Sequence, residues 1–254
     1  MMNISDGPVA AATADDHEKL RRLEQLDRES AFPGFAQEDF EVFESPEFED
    51  RMPLLKTRIT PKLKLAAPAL IERMTETLGE PVFAHVALHL RRSVNPAQET
   101  WVAFARSARA YKPYVHIRAA ISAEKVRVLV FVEDYADDKQ LFAKNLARNA
   151  NALARYCAHH PTIHAYDILD VNGEERHGRT VNSESLKSFA DRLARVKGQH
   201  ARFGIPFAKS HPVLASGPEC LETVIEAARQ LRPFYDCGKP GFVYKYSPES
   251  IVAP

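Results

Sequence analysis

The sequence has few of the residues that stabilise an extracellular fold or build a metal centre. Its three cysteines, Cys157, Cys220 and Cys237, are far apart and odd in number, which fits reduced thiols better than a disulfide framework. No Cys-x-x-Cys pair occurs, so a structural zinc site is not expected. These absences favour a cytoplasmic protein that holds neither a metal nor a cofactor.

Long apolar runs and common catalytic signatures are also absent. The longest apolar run, residues 126–132, has the length of a strand and contains Arg127, so no membrane helix is predicted. The N-terminus lacks a basic start followed by an apolar stretch, so no secretory signal is expected. No Gly-x-Ser-x-Gly, Walker or Gly-x-Gly-x-x-Gly motif occurs, which removes the usual signatures of hydrolases, NTPases and dinucleotide-binding enzymes.

Net charge is zero over 254 residues, yet the charges are unevenly distributed. Residues 1–50 contain fourteen acids and four Lys/Arg, whereas residues 82–127 contain eight Lys/Arg and two acids. An uneven charge distribution of this kind is informative about binding partners and says little about the fold. The basic segment predicts an anion-binding surface, and the acidic segment is either a solvated face or a partner for the basic one.

Short, turn-bounded segments with apolar or alternating character predict a group of strands. The predicted strands are residues 82–88, 100–105, 114–121, 126–133, 162–168 and 201–207. Helical periodicity predicts helices at residues 15–29, 137–158, 183–196 and 218–231. The predicted fold class is α+β in a single domain: an antiparallel or mixed sheet of five to six strands, with helices packed before and after it.

A further helical pattern runs from residue 46 to Leu78 and is interrupted by three prolines. Pro53, Pro61 and Pro68 are expected to split or kink it into two or three short helices, because proline removes a helical hydrogen bond. Gly79 is predicted to end the last of them, since glycine readily takes the left-handed conformation that terminates helices.

Side-chain alternation predicts where the basic segment would converge. In an extended strand His85 and His89 lie on one side, and on a later strand Tyr114, His116 and Arg118 share a face. The cations converge if strands 82–88 and 114–121 are neighbours in the sheet. The candidate ligand-binding residues are His85, His89, Arg91, Arg92, Asn95, Trp101, Arg109, Tyr111, Lys112, His116 and Arg118.

Different roles are expected within this set. The arginines and Lys112 would hold a carboxylate or phosphate, since an arginine fork binds such groups in a bidentate way. The histidines would orient the ligand, or act as acid and base if chemistry occurs. Trp101, the only tryptophan, either packs in the core or forms a stacking platform. A metal on His85 and His89 is geometrically allowed, but no third ligand is obvious.

Three functions compete on this evidence. The first is binding of a small anionic ligand in a basic cleft, with catalysis left open. The second is nucleic-acid binding by the same basic and aromatic face, against which stand the neutral net charge and the absence of a recognised module. The third is a regulatory interaction with an acidic protein partner. Under the first, removing Arg91 or Arg118 is expected to weaken binding and to spare the fold.

The motif His85-Val-Ala-Leu-His-Leu-Arg-Arg-Ser-Val-Asn-Pro96, followed by Thr-Trp101-Val-Ala-Phe and Arg109-Ala-Tyr-Lys, resembles the signature of the YktB-like bacterial proteins. The resemblance extends from about residue 39 to residue 235 and includes the late strand Phe203-Gly-Ile-Pro. It implies a single α+β domain. It implies no activity, because the function of that family is unknown.

The resemblance also predicts the domain limits. Residues 1–37 form an acidic N-terminal extension, partly disordered with one exposed helix, residues 38–237 form the YktB-like domain, and residues 238–254 form a C-terminal tail. One departure stands out within the domain. Residues 165–170 replace the Asp-His-Thr-Lys-Pro-like stretch that is usual in the family, so a polar contributor to a shared site is in doubt.

Overall fold

The computed structural model describes Asp27 and residues 31–90, 92–169 and 172–247. The helices with described boundaries are α1 (Gln37–Glu41), α2 (Phe48–Leu54), α3 (Thr60–Leu78), α4 (Lys139–His159), α5 (Ser183–Arg195) and α6 (Gly217–Tyr235). The strands are β1 (Phe83–Val86), β2 (Glu99–Ala105), β3 (His116–Ser122), β4 (Lys125–Val132), β5 (His164–Leu169), β6 (Glu175–His177) and β7 (Ala201–Ala208). Most of the predicted N-terminal extension lies outside the described residues.

The strands form one open sheet in the order β1-β2-β3-β4-β7-β5-β6, and all neighbouring strands are antiparallel. The predicted α+β class with an antiparallel sheet is confirmed. The predicted number of five to six strands is wrong, because the described residues already form a sheet of seven. The additional strand is β6, which has only three residues and pairs irregularly with β5. Its polar sequence Glu-Arg-His carries no apolar alternation, so the local pattern does not predict a strand there.

The long helices cover one face of the sheet. Residues opposite each other on antiparallel strands point to the same face, and Val130 of β4 lies opposite Phe203 of β7. The Phe203 ring stacks on Phe234 of α6 at 4.3 Å between centroids. It also contacts Phe142 of α4 at 6.3 Å and Phe189 of α5 at 6.1 Å. The core therefore lies between this face and the helices.

Helix α3 lies beside α6 on the same face. Leu63 and Leu70 of α3, Leu221 of α6, and Val102 and Ile121 of the sheet are all buried and border one small apolar gap of about 20 Å³. The four long helices α3, α4, α5 and α6 are thus on one side. None of these four helices packs on the opposite face. The polar side chains of that face must therefore form hydrogen bonds and ion pairs with one another or with water.

The proline-rich helical region is less interrupted than its sequence predicts. Helix α2 contains Pro53 and continues through a π-helical turn, Leu55–Ile59, into the 19-residue helix α3. Thr57 donates its hydroxyl to the carbonyl of Pro53 at 2.9 Å, within this turn. Pro61 lies directly after the π-helical turn, in the first positions of α3. The expected short helices are therefore corrected to one short and one long, while the predicted end at Gly79 is confirmed by its φ of 69°.

The segment before α1 packs against the beginning of α6. Phe32 and Phe35 are buried, with ring centroids 5.4 Å apart, and the amide of Phe35 donates to the carbonyl of Leu214 at 2.6 Å. A Cβ on Gly217 would lie 1.7 Å from the carbonyl oxygen of Phe32, so the two backbones touch where only glycine fits. The aromatic lead-in segment thus packs into the core.

Within the described residues no helix is both long enough and apolar enough to cross a bilayer.

Candidate functional site

Part of the predicted basic and aromatic set lies on the face of the sheet that the four long helices leave open. The condition set for convergence, that strands 82–88 and 114–121 are neighbours in the sheet, is not met, because β2 lies between β1 and β3. His85 of β1 lies opposite Ala103 of β2, and Ala103 lies opposite Arg118 of β3. All three side chains therefore point to one face. The small alanine separates the two larger side chains across the intervening strand.

Arg118 lies at the centre of this open face and is buried, with 3% of its surface exposed. Its guanidinium lies 4.2 Å from the centre of the Trp101 ring and 3.8 Å from that of Phe131. It also donates to the Glu133 carboxylate at 2.9 Å. A buried arginine with both aromatic contacts and a carboxylate partner holds neighbouring side chains in place, and is not exposed to a ligand.

His116 lies next to Arg118 and is fully buried. Its Nδ1 lies 2.9 Å from the carbonyl of Tyr114 and donates to it, because its Nε2 accepts from Arg118 at 3.1 Å. Burial, followed by the charge of Arg118, holds the pKa of His116 well below its ordinary value. This histidine is neutral, and the hydrogen bond that its Nε2 accepts helps to hold the Arg118 guanidinium in place.

An open cleft of about 490 Å³ lies above this buried layer, at the end of β1. Its volume is within the range of about 300–1,000 Å³ that is typical of small-molecule sites. Among the described residues, no aspartate or glutamate lines it. The lining residues are Val86, Ala87, Leu88, His89, Leu90, Arg92, Trp101, Tyr111 and Lys112.

The aromatic side of the cleft is held by contacts between rings. Trp101 donates its Nε1 hydrogen to the Tyr111 hydroxyl at 3.3 Å. The His89 ring meets the Trp101 ring edge to face, with centroids 5.3 Å apart at 90°. Tyr111 in turn contacts the rings of His85 at 5.4 Å and His116 at 5.0 Å. The cleft is therefore connected to the buried layer through fixed aromatic contacts.

His89 combines two unusual features within the cleft. It is the only described residue other than glycine with a positive φ, at 51°, a conformation that is uncommon for residues with a side chain. Its Nε2 atom is buried and has no hydrogen-bond partner among the described residues. Backbone strain and unsatisfied polar atoms are concentrated at functional sites, so this cleft is the candidate site.

The two cations of the cleft differ from the arginines deeper on the open face. Arg118, Arg127 and Arg202 are each paired with a carboxylate, those of Glu133, Glu99 and Asp167 respectively. Arg92 and Lys112 are exposed, and neither pairs with a carboxylate among residues that the structure describes. The only described hydrogen bond of the Arg92 side chain is to the carbonyl of Asn95, at 3.2 Å. Both charges are therefore available to a ligand.

The remaining candidates lie in several places. His85 is beside the cleft, where its Nε2 lies 2.8 Å from the carbonyl of Ser107. Asn95 and Arg109 are exposed and outside the lining of the cleft. Arg91 lies outside the described residues. The structure thus brings His89, Arg92, Trp101, Tyr111 and Lys112 together at one cleft, with His116 and Arg118 beneath them.

Sequence reasoning missed Glu133, the acidic partner of Arg118. Alternation along β4 puts Leu129, Phe131 and Glu133 on the open face, but only the pairing of β3 with β4 shows which of them reaches Arg118. Glu133 also lies near Asp134 and His200, and their potential ligand atoms are within 4.8 Å of one another. Because Arg118 already contacts this carboxylate at 2.9 Å, a second positive charge there is disfavoured.

The state of His89 predicts a pH dependence of stability. Burial, and then the charge of Arg92, lower the pKa of His89 to about 4, with Lys112 and Arg118 also lowering it and Glu99 opposing them. An unfolded histidine has a pKa of about 6.5, so between these values the unfolded chain binds more protons. Stability is therefore expected to fall as the pH drops from about 6.5 towards 4, by at most about 1.4 kcal/mol per pH unit from this residue.

His89→Asn tests this directly, because asparagine tolerates a positive φ but does not titrate. We expect thermal melts of the variant to lose less stability between pH 7 and pH 5 than melts of the parent. An equal loss in both proteins would show that His89 does not contribute.

Comparison with known proteins places the chain in a family. The profile described as a domain of unknown function, DUF1054, matches residues 35–235, which include the cleft and the layer beneath it. The chain belongs to the DUF1054 family. This confirms the resemblance to the YktB-like bacterial proteins of unknown function.

Proteins of several bacteria are similar to this chain over most of their length. A UPF0637 protein of Bacillus cytotoxicus is 30% identical over 203 residues, covering 80% of this chain and 96% of the relative. One of Oceanobacillus iheyensis is 26% identical over 202 residues, covering 80% and 95%. One of Shouchella clausii is 25% identical over 204 residues, covering 80% and 93%. Their names give no ligand and no reaction, so function must be argued from the cleft.

Proposed function

We propose that this protein binds a small anionic ligand, carrying a carboxylate or a phosphate, in the cleft at the end of β1. The observation that carries the proposal is the pair Arg92 and Lys112. Both line the cleft, and neither has a carboxylate partner among the described residues. Exposed cations that line a concavity without acids attract anions, and the wall of the cleft reduces screening by water.

The cleft also offers groups that can orient such a ligand. The Arg92 guanidinium can bind two oxygens of a carboxylate or phosphate at once, while Lys112 supplies a compact charge on a flexible stem. The His89 ring also lines the cleft, with its Nε2 atom turned into the protein and out of reach of a ligand. Because His89 is neutral near pH 7, its ring adds no positive charge and can pack against the body of such a ligand.

The setting we infer is the reducing cytoplasm. Cys157, Cys220 and Cys237 are all free and buried, as expected for thiols that pack as small apolar groups. Burial raises the pKa of Cys157 and of Cys220 to about 12, so neither thiol is ionised at neutral pH.

Single substitutions in the cleft test the proposal. Arg92→Ala and Lys112→Ala are expected to leave the melting temperature of the free protein unchanged, since both side chains are exposed. They should reduce the thermal stabilisation produced by inorganic phosphate or succinate. Loss of one charged contact corresponds to about 1.5–3 kcal/mol, roughly ten- to hundredfold in affinity.

Arg109→Ala is the matched control for this experiment. Arg109 is an exposed arginine on the same loop as Lys112, but it lies outside the lining of the cleft. Its removal lowers the net charge equally and should leave ligand-induced stabilisation intact. If Arg109→Ala weakened binding as much as Arg92→Ala, the effect would belong to general surface charge and the cleft would not be the site.

A further inference from the structure

The cleft contains more aromatic surface than a simple anion requires. Its lining includes the rings of His89, Trp101 and Tyr111 next to the two cations. Inorganic phosphate or a short dicarboxylate would be held by the cations alone, and would gain nothing from rings. Ring surfaces in a ligand site serve to bind another planar group by stacking, which tolerates many ring types.

Trp101 is held in position before any ligand arrives. Arg118 lies 4.2 Å from its ring centre, His89 meets it edge to face at 5.3 Å, and its Nε1 is hydrogen-bonded to Tyr111 at 3.3 Å. The side chain is nevertheless half-buried, so part of its surface remains accessible in the cleft. A pre-ordered ring adds binding free energy without the entropic cost of immobilising a flexible side chain.

The border of the cleft is apolar as well. Leu88 and Leu90 line it with 44% and 80% of their surfaces exposed, and Val94 on the same loop is 74% exposed. Large aliphatic side chains exposed together on one loop mark an interaction site, since they gain from covering by another apolar surface. A ligand with a flat, weakly polar body next to its charged group would cover them.

The charges select which rings can enter. Arg118 lies behind Trp101, and Arg92 and Lys112 lie in the cleft, whereas no carboxylate of the part of the chain that the structure describes lines it. This positive environment disfavours cationic rings and favours neutral rings that carry an anion. Two separate cations match a group with two negative charges and several oxygens, which describes a phosphate monoester better than a single carboxylate.

Building on the proposed function, we propose that the ligand is a mononucleotide, whose base packs against the Trp101 and Tyr111 wall while its phosphate lies between Arg92 and Lys112. The cleft volume of about 490 Å³ suits a molecule of this size. The same chemistry is also present at the end of a polynucleotide. The neutral net charge favours the free mononucleotide, because polynucleotide binding depends on an extended basic surface.

The single tryptophan makes the test direct, because Trp101 fluorescence reports on the cleft alone. We would titrate the full chain with AMP, adenosine and inorganic phosphate, and follow both fluorescence and heat of binding. AMP should quench the fluorescence and bind at least about tenfold more tightly than either fragment, because it combines stacking with the charged contacts. The other nucleoside monophosphates should behave similarly.

Variants separate the ring contact from the charge contact. Trp101→Leu should lower AMP affinity about tenfold, to near that of inorganic phosphate, while leaving phosphate affinity unchanged. Trp101→Phe keeps a ring beside Arg118 and should retain most of the AMP affinity even if Trp101→Leu fails to fold. Lys112→Ala should weaken phosphate and AMP, and leave adenosine unaffected. Calorimetry supplies the affinities where the fluorophore has been removed.

The outcomes distinguish the two proposals. Equal affinities for AMP and inorganic phosphate would overturn the proposal of a mononucleotide ligand, while the proposal of anion binding would still hold. Adenosine binding as tightly as AMP would show that the phosphate is not recognised. An affinity that rises steadily from AMP to single-stranded oligonucleotides and falls steeply with salt would show that the ligand is a polynucleotide and not a mononucleotide. If no anion bound at all, both proposals would fail.

Discussion

Replacement of Arg118 by alanine is expected to destabilise the protein by about 3–5 kcal/mol, the cost of removing one partner from a buried ion pair. Arg118 is 3% exposed and lies between the rings of Trp101 and Phe131. Its loss would leave the Glu133 carboxylate buried without its 2.9 Å partner. The sequence alone predicts the opposite result, a stable variant that binds less, because a run of basic residues does not show which cations are buried.

Chemical denaturation at pH 7 measures this effect, with Arg92→Ala as the control that changes an exposed cation on the same face. The double variant Arg118→Met, Glu133→Leu provides a second comparison. Replacing both partners by apolar side chains of similar size should restore much of the lost stability, since no charge is then left buried alone. Should Arg118→Ala melt like its parent, the ion pair would have no structural role and Arg118 would return as a candidate ligand contact.

Phe32→Ala is expected to lower the free energy of unfolding by about 3–5 kcal/mol, the usual cost of truncating a buried phenylalanine. Phe32 is 2% exposed and packs edge to face on Phe35, with its carbonyl close against Gly217. Deletion of residues 1–30, which lie outside the family match of residues 35–235, should leave stability nearly unchanged. The boundary of the folded unit is thus predicted to fall at about residue 31.

Thermal melts of the two proteins make the comparison, and the expected difference is about 6–20 °C at roughly 2–4 °C per kcal/mol for a domain of this size. A large loss on deleting residues 1–30 would show that these residues also pack into the core. A Phe32→Ala variant as stable as the parent would mean that α6 and the sheet hold without the aromatic segment.

The pairing of strands could not be predicted even though most strands could. Local alternation identified β2, β3 and β4 almost to the residue, since the period of apolar side chains is a property of a few neighbouring positions. Strand β6 was missed because three polar residues at a sheet edge carry no such period. The insertion of β7 between β4 and β5 depends on contacts between distant segments, which no local pattern contains.

The candidate site shows the same division. Its composition could be predicted from one short basic and aromatic segment, and Trp101, Tyr111 and Lys112 do lie together at a cleft. Their relation to Arg118 and His116 could not, because strand parity does not show that these two side chains are buried. The alternation along a strand predicts to which face of the sheet a side chain points. Whether that side chain is buried depends on the neighbouring side chains that cover the face.

By itself, the sequence determined the α+β class, the family, and the segment between His85 and Arg118 that supplies the cleft. These follow from residue types and short-range periods, which act over a few positions. Only the tertiary structure decided which cations are free. Arg118 is paired with Glu133 across β3 and β4, whereas Arg92 and Lys112 project into the cleft without a described acidic partner. The physical reason is that charge pairing and burial are set by sheet register and loop path, and both arise from contacts between residues far apart in the chain.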